Sequence, residues 1–490
     1  MEFTFEVKET DLLGRVGELR VGGKTLETPY MFPVIHPVNQ QIPTQELTSM
    51  GYAGLMTNSY IIYSRRRQEA LEKGIHSLLG YDGVFITDSG GYQVLEYGDL
   101  EIGYKDVAEF QARIGSELAV TLDRPTGYPQ KRPVAKASVD YSFKNAKATL
   151  DEFGEEKTTW VGPIQGGLYL DLVRRSAKSL VAAGFEFLAL GSPVQVMQNY
   201  MYSDLVDMIV AARRAIPYSV PLHLFGAGHP LTMPLAVALG CDTFDSASYV
   251  LFARSGRYMT RSGVLTLKSM KYLPCSCPAC AATSVTELSE MGHQERTRVL
   301  SLHNLSVLRE EIESCKEAVS EGRLWDLVEE RSMAHPKLRD AFARMAEYSR
   351  DLEVGTPALK DRGLFVRSDL DRARPELAIA KSNLAGATSK RSKAARVVAG
   401  PSGSREKADE DLYGVHPVLG AYPIELQFQY PFSQTETSLA QAAPPDPKRQ
   451  LKALGYATVK KRAGEGKPVR SRRTRRGASP SLRSSSARSR

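Results

Sequence analysis

No stretch of this chain approaches the roughly 20 consecutive apolar residues that cross a bilayer, so a transmembrane helix is not part of the expected architecture. The opening residues, MEFTFEVKET, have no basic segment followed by an apolar one. No secretion signal is expected, and the chain reads as cytoplasmic with no membrane partner. Cysteine is scarce, at 5 in 490 residues. That excludes a disulfide-built scaffold. Repeats of solenoid period are absent. A net positive charge is missing from most of the chain as well. Residues 441–490 carry 15 Lys+Arg against 2 Asp+Glu, while the whole chain has a net charge of +8, so the remainder is acidic. The end of that segment, KKRAGEGKPVRSRRTRRGASPSLRSSSARSR, has too few apolar residues to fold. Residues 441–490 read as a disordered basic arm that binds polyanions.

Hydrophobic residues make up 42% of the chain, enough for a packed core. Eight short β-rich runs occur in the first half: residues 28–34, 53–58, 83–88, 118–123, 159–165, 187–192, 221–228 and 241–248. Amphipathic helical patterns separate most of them. The runs are continuous and apolar rather than alternating, as in strands covered on both faces. The predicted fold class is α/β, a (β/α)8 TIM barrel, with an open doubly wound sheet as its rival. Asn58, Asp88, Asp123, Gln165, Ser192 and Asp245 all fall at or just past a strand's C-terminal end. A barrel gathers those ends on one face, where active sites are built. The plainer alternative is that each caps a helix or begins a turn.

Three of the cysteines crowd into six positions, as Cys275, Cys277 and Cys280. With His303 on a downstream helix they have the composition of a closed, four-ligand Zn2+ site of the structural type, one zinc per chain. His293 competes as the fourth ligand. Cys241 and Cys315 stand alone and read as packing residues. In ITDSGGYQV (86–94), Asp88 at a strand end precedes Ser-Gly-Gly, which lets backbone approach a ligand closely, and Tyr92 offers a ring to stack on a flat one. FDSASY (244–249) supplies a second strand-end carboxylate, Asp245. Two carboxylates facing one cavity are what retaining glycosyl transfer requires. Asp123 and Gln165 suit the donor and acceptor edge of a purine.

ITDSGGYQV, GPIQGG, HLFGAGHP, FDSASY, CSCPAC and ERTRVLSLHNL follow one another as in the tRNA-guanine transglycosylase family, which the chain resembles over about residues 5–350. HLFGAGHP, FDSASY and RYMT are similar to the archaeal, archaeosine branch rather than the queuosine branch. The resemblance implies a barrel with a zinc subdomain, usually homodimeric, that exchanges a guanine of tRNA, at position 15 of the D-arm, for 7-cyano-7-deazaguanine. It implies Asp245 and Asp88 as the catalytic pair, one the nucleophile and the other the general acid/base; the sequence leaves either assignment open, with Asp245 favoured as nucleophile. Asp123, Gln165 and the backbone at Gly191, Ser192 and Val194 would hold the base. Tyr92 and Phe225, the latter beside Gly226, would cover its faces. GSPVQVMQ (191–198) departs from the segment usual in the archaeal branch, and no RNA-binding PUA domain is visible, so a separate PUA-type chain is a candidate partner. The expected organisation is a catalytic barrel over 1–350 with its zinc subdomain at about 270–350. A connecting segment over 351–410, a small archaeal-type extension over 411–440 and the basic tail follow. The rivals are a queuosine-type enzyme acting at the anticodon, a non-catalytic tRNA-binding paralogue, and a barrel glycosidase for which the zinc loop and tail have no use.

Overall fold

The computed structural model describes residues 3–91, 102–387, 394–398, 410–438 and 446–461. The chain divides into two compact units, Met1–Ala387 with Phe428–Ala442, and Thr388–Gln427 with Ala443–Arg490.

The first unit begins with an antiparallel meander, β1 (Thr4–Asp11), β2 (Gly14–Val21) and β3 (Lys24–Thr28). Eight parallel strands follow. They are β4 (Tyr30–Pro33), β5 (Gly54–Asn58), β6 (Val84–Asp88), β7 (Leu118–Val120), β8 (Thr159–Ile164), β9 (Phe187–Leu190), β10 (Leu222–Leu224) and β11 (Thr243–Ser246). Their order, β4-β11-β10-β9-β8-β7-β6-β5, leaves β4 and β5 at the two ends. Those ends meet: Val34 bridges Met56 in parallel, and Ile35 N donates to Met56 O at 2.8 Å. The sheet is therefore a closed barrel, which removes the open-sheet rival. Each predicted strand lies where its apolar run stands. Residues such as Leu55, Phe85, Val161, Leu188 and Phe244 are wholly buried, because barrel strands are covered inside by one another and outside by helices.

The covering helices show why they pack. In Tyr104–Ile114, residues Val107, Ala108, Phe110, Gln111 and Ile114 are buried, one face of a 3.6-residue period. Asn58 caps Ser59–Leu79 by accepting from Ile61 N at 2.9 Å. The turn-and-cap alternative thus holds at Asn58, although the residue also serves the site. After β11 come helix Ser248–Arg254, the hairpin β12 (Arg257–Thr260) and β13 (Gly263–Thr266), and the long helix His293–Ser320. A small separate core of Ala253, Tyr258, Leu267, Cys280, Leu288 and Leu300 binds this subdomain together.

The segment expected to be a connector from residue 351 instead contains ordered structure through residue 387. Leu364–Val366 pairs in parallel with Thr435–Thr437, and Pro375–Ala387 is helical. Its charges misled the sequence reading because they pair inside the fold. Lys360 Nζ donates to Asp11 Oδ1 at 2.7 Å and Glu376 Oε1 at 2.6 Å, and Trp325 Nε1 donates to Asp371 Oδ1 at 2.8 Å. Arg374, 1% exposed, joins Asp326 in the same network.

The second unit holds a four-stranded sheet of Gly420–Pro423, Glu410–His416, Ala394–Val397 and Thr458–Lys461, in that order, with helix Pro447–Ala453. Its core is Ala395, Tyr413, Leu451 and Tyr456. Residues 446–461, read from sequence as part of a disordered tail, therefore fold. Leu451 and Tyr456 are the apolar anchors that its basic composition hid. The predicted 411–440 extension divides, with residues 428–442 belonging to the barrel unit. Residues 462–490 lie outside the described residues.

Candidate active site and metal centre

Asp88 ends β6 directly opposite Asn58 of β5 in the parallel register. Asn58 Nδ2 donates to Asp88 Oδ2 at 2.8 Å. Burial, then the nearby charge of Asp245, raises the Asp88 carboxyl to about 6. Asp123, just past β7, is 6% exposed, and burial followed by the charge of Asp88 raises it to about 7. Gln165 Nε2 donates to Asp123 Oδ2 at 2.7 Å and opposes that rise. Three carboxylates on one barrel face thus bear on each other electrostatically, and two of them exchange protons near neutral pH.

Gln165 is fixed at its other end. Its Oε1 accepts from Thr126 N at 2.9 Å and Ser192 Oγ at 2.9 Å. Each atom of the amide therefore has an assigned role, and the orientation follows from the network. Close approach explains two glycines here. A Cβ on Gly91 would overlap Asp123 Oδ1, and one on Gly191 would overlap Gln165 Nε2. Ser192 takes a left-handed φ of 65° at the start of helix Pro193–Gln198. Such a conformation is uncommon away from glycine and is held by the surrounding bonds.

Asp245 lies on β11 with 8% exposure. Its Oδ1 accepts from Gly226 N at 2.7 Å and from His223 Nε2 at 3.0 Å. His223 is wholly buried, and its Nδ1 lies 2.9 Å from Thr243 Oγ1. The neutral tautomer protonated on Nε2 satisfies both contacts, since the threonine hydroxyl donates to Nδ1. Among the described residues, both hydrogen bonds to the Asp245 carboxylate fall on Oδ1 and none on Oδ2. Phe225 rests against His223, with ring centroids 4.9 Å apart. Val194 stands beside Gly226, where a Cβ would collide with it. Tyr92 lies outside the described residues.

Cys275, Cys277, Cys280 and His303 offer ligand atoms that all lie within 4.8 Å of one another. His303 Nε2 donates to the Met259 carbonyl at 2.8 Å, which leaves the Nδ1 lone pair facing the sulfurs, 3.3 Å from Cys280 Sγ. Tyr258 stacks on the imidazole at 3.6 Å and fixes its plane. This donor set fits a metal ion held by four protein ligands. His293 is not part of the cluster; its Nε2 lies 3.3 Å from the Arg254 carbonyl. Cys241 and Cys315 are buried in the main core, as their packing role predicts.

A family model described as queuine tRNA-ribosyltransferase matches residues 10–337. The chain belongs to the tRNA-guanine transglycosylase family. Among its curated relatives, a tRNA-guanine(15) transglycosylase of Thermococcus onnurineus is 40% identical over 468 residues, 95% of this chain and 77% of the relative. Proteins with the same name from Sulfolobus acidocaldarius and Thermococcus kodakarensis are 38% and 42% identical. Those alignments cover 88% of this chain and 88% of the relative for the first, and 89% and 72% for the second. Within this transglycosylase chain the sequence reading missed His223 and Thr126 as parts of the site. His223 carried a signal: it is a lone polar residue within the apolar run of β10. Among the described residues, no helix of this family member is long and apolar enough to cross a membrane.

Proposed function

We propose that this protein exchanges a guanine of tRNA, at position 15 of the D-arm, for 7-cyano-7-deazaguanine by double displacement, a step of archaeosine formation. The coarser part of this reading, transglycosylation of guanine in tRNA, is supported by the relatives at about 40% identity. The observation that carries the chemistry is the contrast between two carboxylates. Asp245 has one oxygen pinned by two donors and the other unengaged, whereas Asp88 titrates at about 6.

In the first half-reaction Asp245 Oδ2 bonds to the ribose C1′ as the glycosidic C1′–N bond breaks. The electron pair leaves with guanine, and the Asp88 carboxylic acid supplies the proton that neutralises it. In the second, Asp88 as carboxylate accepts the N–H proton of the incoming base. The base nitrogen then bonds to C1′, and the aspartyl ester bond breaks. Developing positive charge at C1′ is stabilised by the flanking carboxylates. Asp123 and Gln165 grip the purine edge, with the backbone at Gly191, Ser192 and Val194 beside them. Phe225, next to Gly226, covers one face, and Tyr92 is assigned the other.

Zn2+ is the proposed ion of the Cys275–Cys277–Cys280–His303 cluster. With four protein ligands it has no open position, and its contribution is to folding. Cytoplasmic location, a homodimer and a separate PUA-type chain belong to the same reading. Incubating the protein with tRNA transcript and labelled guanine or 7-cyano-7-deazaguanine, then mapping the label, tests the proposal. Label at position 15 supports it, and label at the anticodon assigns the queuosine-type reaction instead.

A further inference from the structure

We infer that Tyr200 is a stacking platform for an unpaired nucleobase of the RNA substrate at the rim of the catalytic face. The inference rests on the tRNA reading of the site above. Tyr200 occupies the turn between helix Pro193–Gln198, which starts at the base pocket, and helix Tyr202–Arg213. In a (β/α)8 barrel that turn and the N-terminus of the helix after it lie on the side of the strand C-termini. The turn is anchored to the pocket walls, because Gln195 Oε1 accepts from Tyr128 N and Val194 abuts Gly226.

The side chain is 54% exposed, and among the described residues no hydrogen bond holds it. Its backbone has a left-handed φ of 56°, which glycine or asparagine adopts with far less strain than a bulky aromatic. One ring face is covered: His335 stacks on it at 5.1 Å with planes 16° apart, and Tyr202 meets both rings edge-on. His335 is itself fixed, since its Nδ1 accepts from Lys337 N at 3.1 Å and caps helix Pro336–Ala346. A backed aromatic that is more than half exposed is the kind of element that single-stranded nucleic-acid sites use to receive a base. An enzyme that must reach a glycosidic bond inside a folded RNA has to unstack nucleotides, and each one needs somewhere to go.

The test is steady-state base exchange with full-length tRNA, for the native protein and for Tyr200→Ala, Tyr200→Gly and Tyr200→Phe, with melting temperatures measured in parallel. The glycine variant suits the backbone and keeps the experiment meaningful if the alanine variant folds poorly. Loss of a stacked base is expected to raise the tRNA KM about tenfold in Tyr200→Gly, leave kcat within about twofold, and leave Tyr200→Phe like the native protein. An unchanged KM in Tyr200→Gly overturns the platform. So does a Tyr200→Phe variant as defective as Tyr200→Gly, because the hydroxyl and not the ring face would then matter. A fall in kcat with KM constant and melting temperature lowered identifies a purely structural turn and also overturns it. If the native protein itself exchanges no base, the proposed function fails, an outcome distinct from each of these.

Discussion

Replacing Asp123 by asparagine tests the site through stability. The folded chain holds this carboxyl at about 7, against an ordinary 3.8, chiefly because the group is buried. The folded state therefore binds the proton more tightly than the unfolded one, so ionisation opposes folding. Below about pH 4 both states are protonated and the effect vanishes. Stability is lost as pH rises from about 4 to about 7, and the cost stays constant above that. A gap of roughly 3 pH units at about 1.36 kcal/mol each comes to about 4 kcal/mol. Asp123→Asn preserves the shape, and its amide oxygen still accepts from Gln165 Nε2, but it cannot ionise. Denaturant unfolding should give the two proteins nearly equal stability near pH 4 and favour the variant by up to about 4 kcal/mol at pH 8. Protonation of the metal ligands cancels, because both proteins carry the same cluster. Exchange activity should fall in the same variant, since a neutral amide presents different partners to the purine edge. A stability difference independent of pH, or a variant less stable at pH 8, would refute the reasoning.

Asp245→Asn should abolish exchange and the covalent RNA adduct while tRNA still binds, as a gel shift beside a denaturing gel will show; a trapped adduct would sink the assignment. Single-turnover release of guanine, which needs Asp88 as the acid, should fall as pH rises through about 6, where Asp88 titrates, and be absent at every pH in Asp88→Asn. Cys277→Ser should lower folded yield and metal content together, whereas elemental analysis finding no zinc in folded, active native protein would contradict a structural metal. Truncation after residue 461 should raise the tRNA KM and flatten its salt dependence, with single-turnover chemistry at saturating tRNA little changed, because the removed contacts are electrostatic and sequence-blind.

The barrel was legible because its strands are buried on both faces and appear as eight separate apolar runs. Asp88, Asp123, Gln165 and Asp245 were legible because a polar residue closing such a run stands out. The contact between His223 and Asp245 was not legible, although both residues lie in recognisable motifs. It depends on the β10–β11 register, in which His223 stands opposite Thr243, and register across parallel strands is set by packing rather than by local sequence. His303 was legible as the fourth ligand, ahead of His293, because it lies on a helix that can pack over the cysteine loop; the Met259 carbonyl that orients its ring was not. Residues 351–410 were read as a connecting segment because of their polar, charged composition, in which Lys360, Arg374 and Glu376 look like surface residues. Only the fold reveals that they neutralise one another around Trp325. Residues 446–461 escaped for a related reason: two buried side chains, Leu451 and Tyr456, suffice when a sheet is already present to receive them.

The central claim is that Asp245 forms a bond to a tRNA ribose while a guanine departs. The most direct measurement is incubation of the native protein with tRNA and labelled 7-cyano-7-deazaguanine, followed by nuclease mapping of the labelled nucleotide and mass analysis of RNA-linked peptide. Label at position 15, with ribose attached to the peptide containing Asp245, is the predicted result. Label incorporated with the RNA attached to a peptide containing Asp88 and not Asp245, or no incorporation at any guanosine, would contradict it.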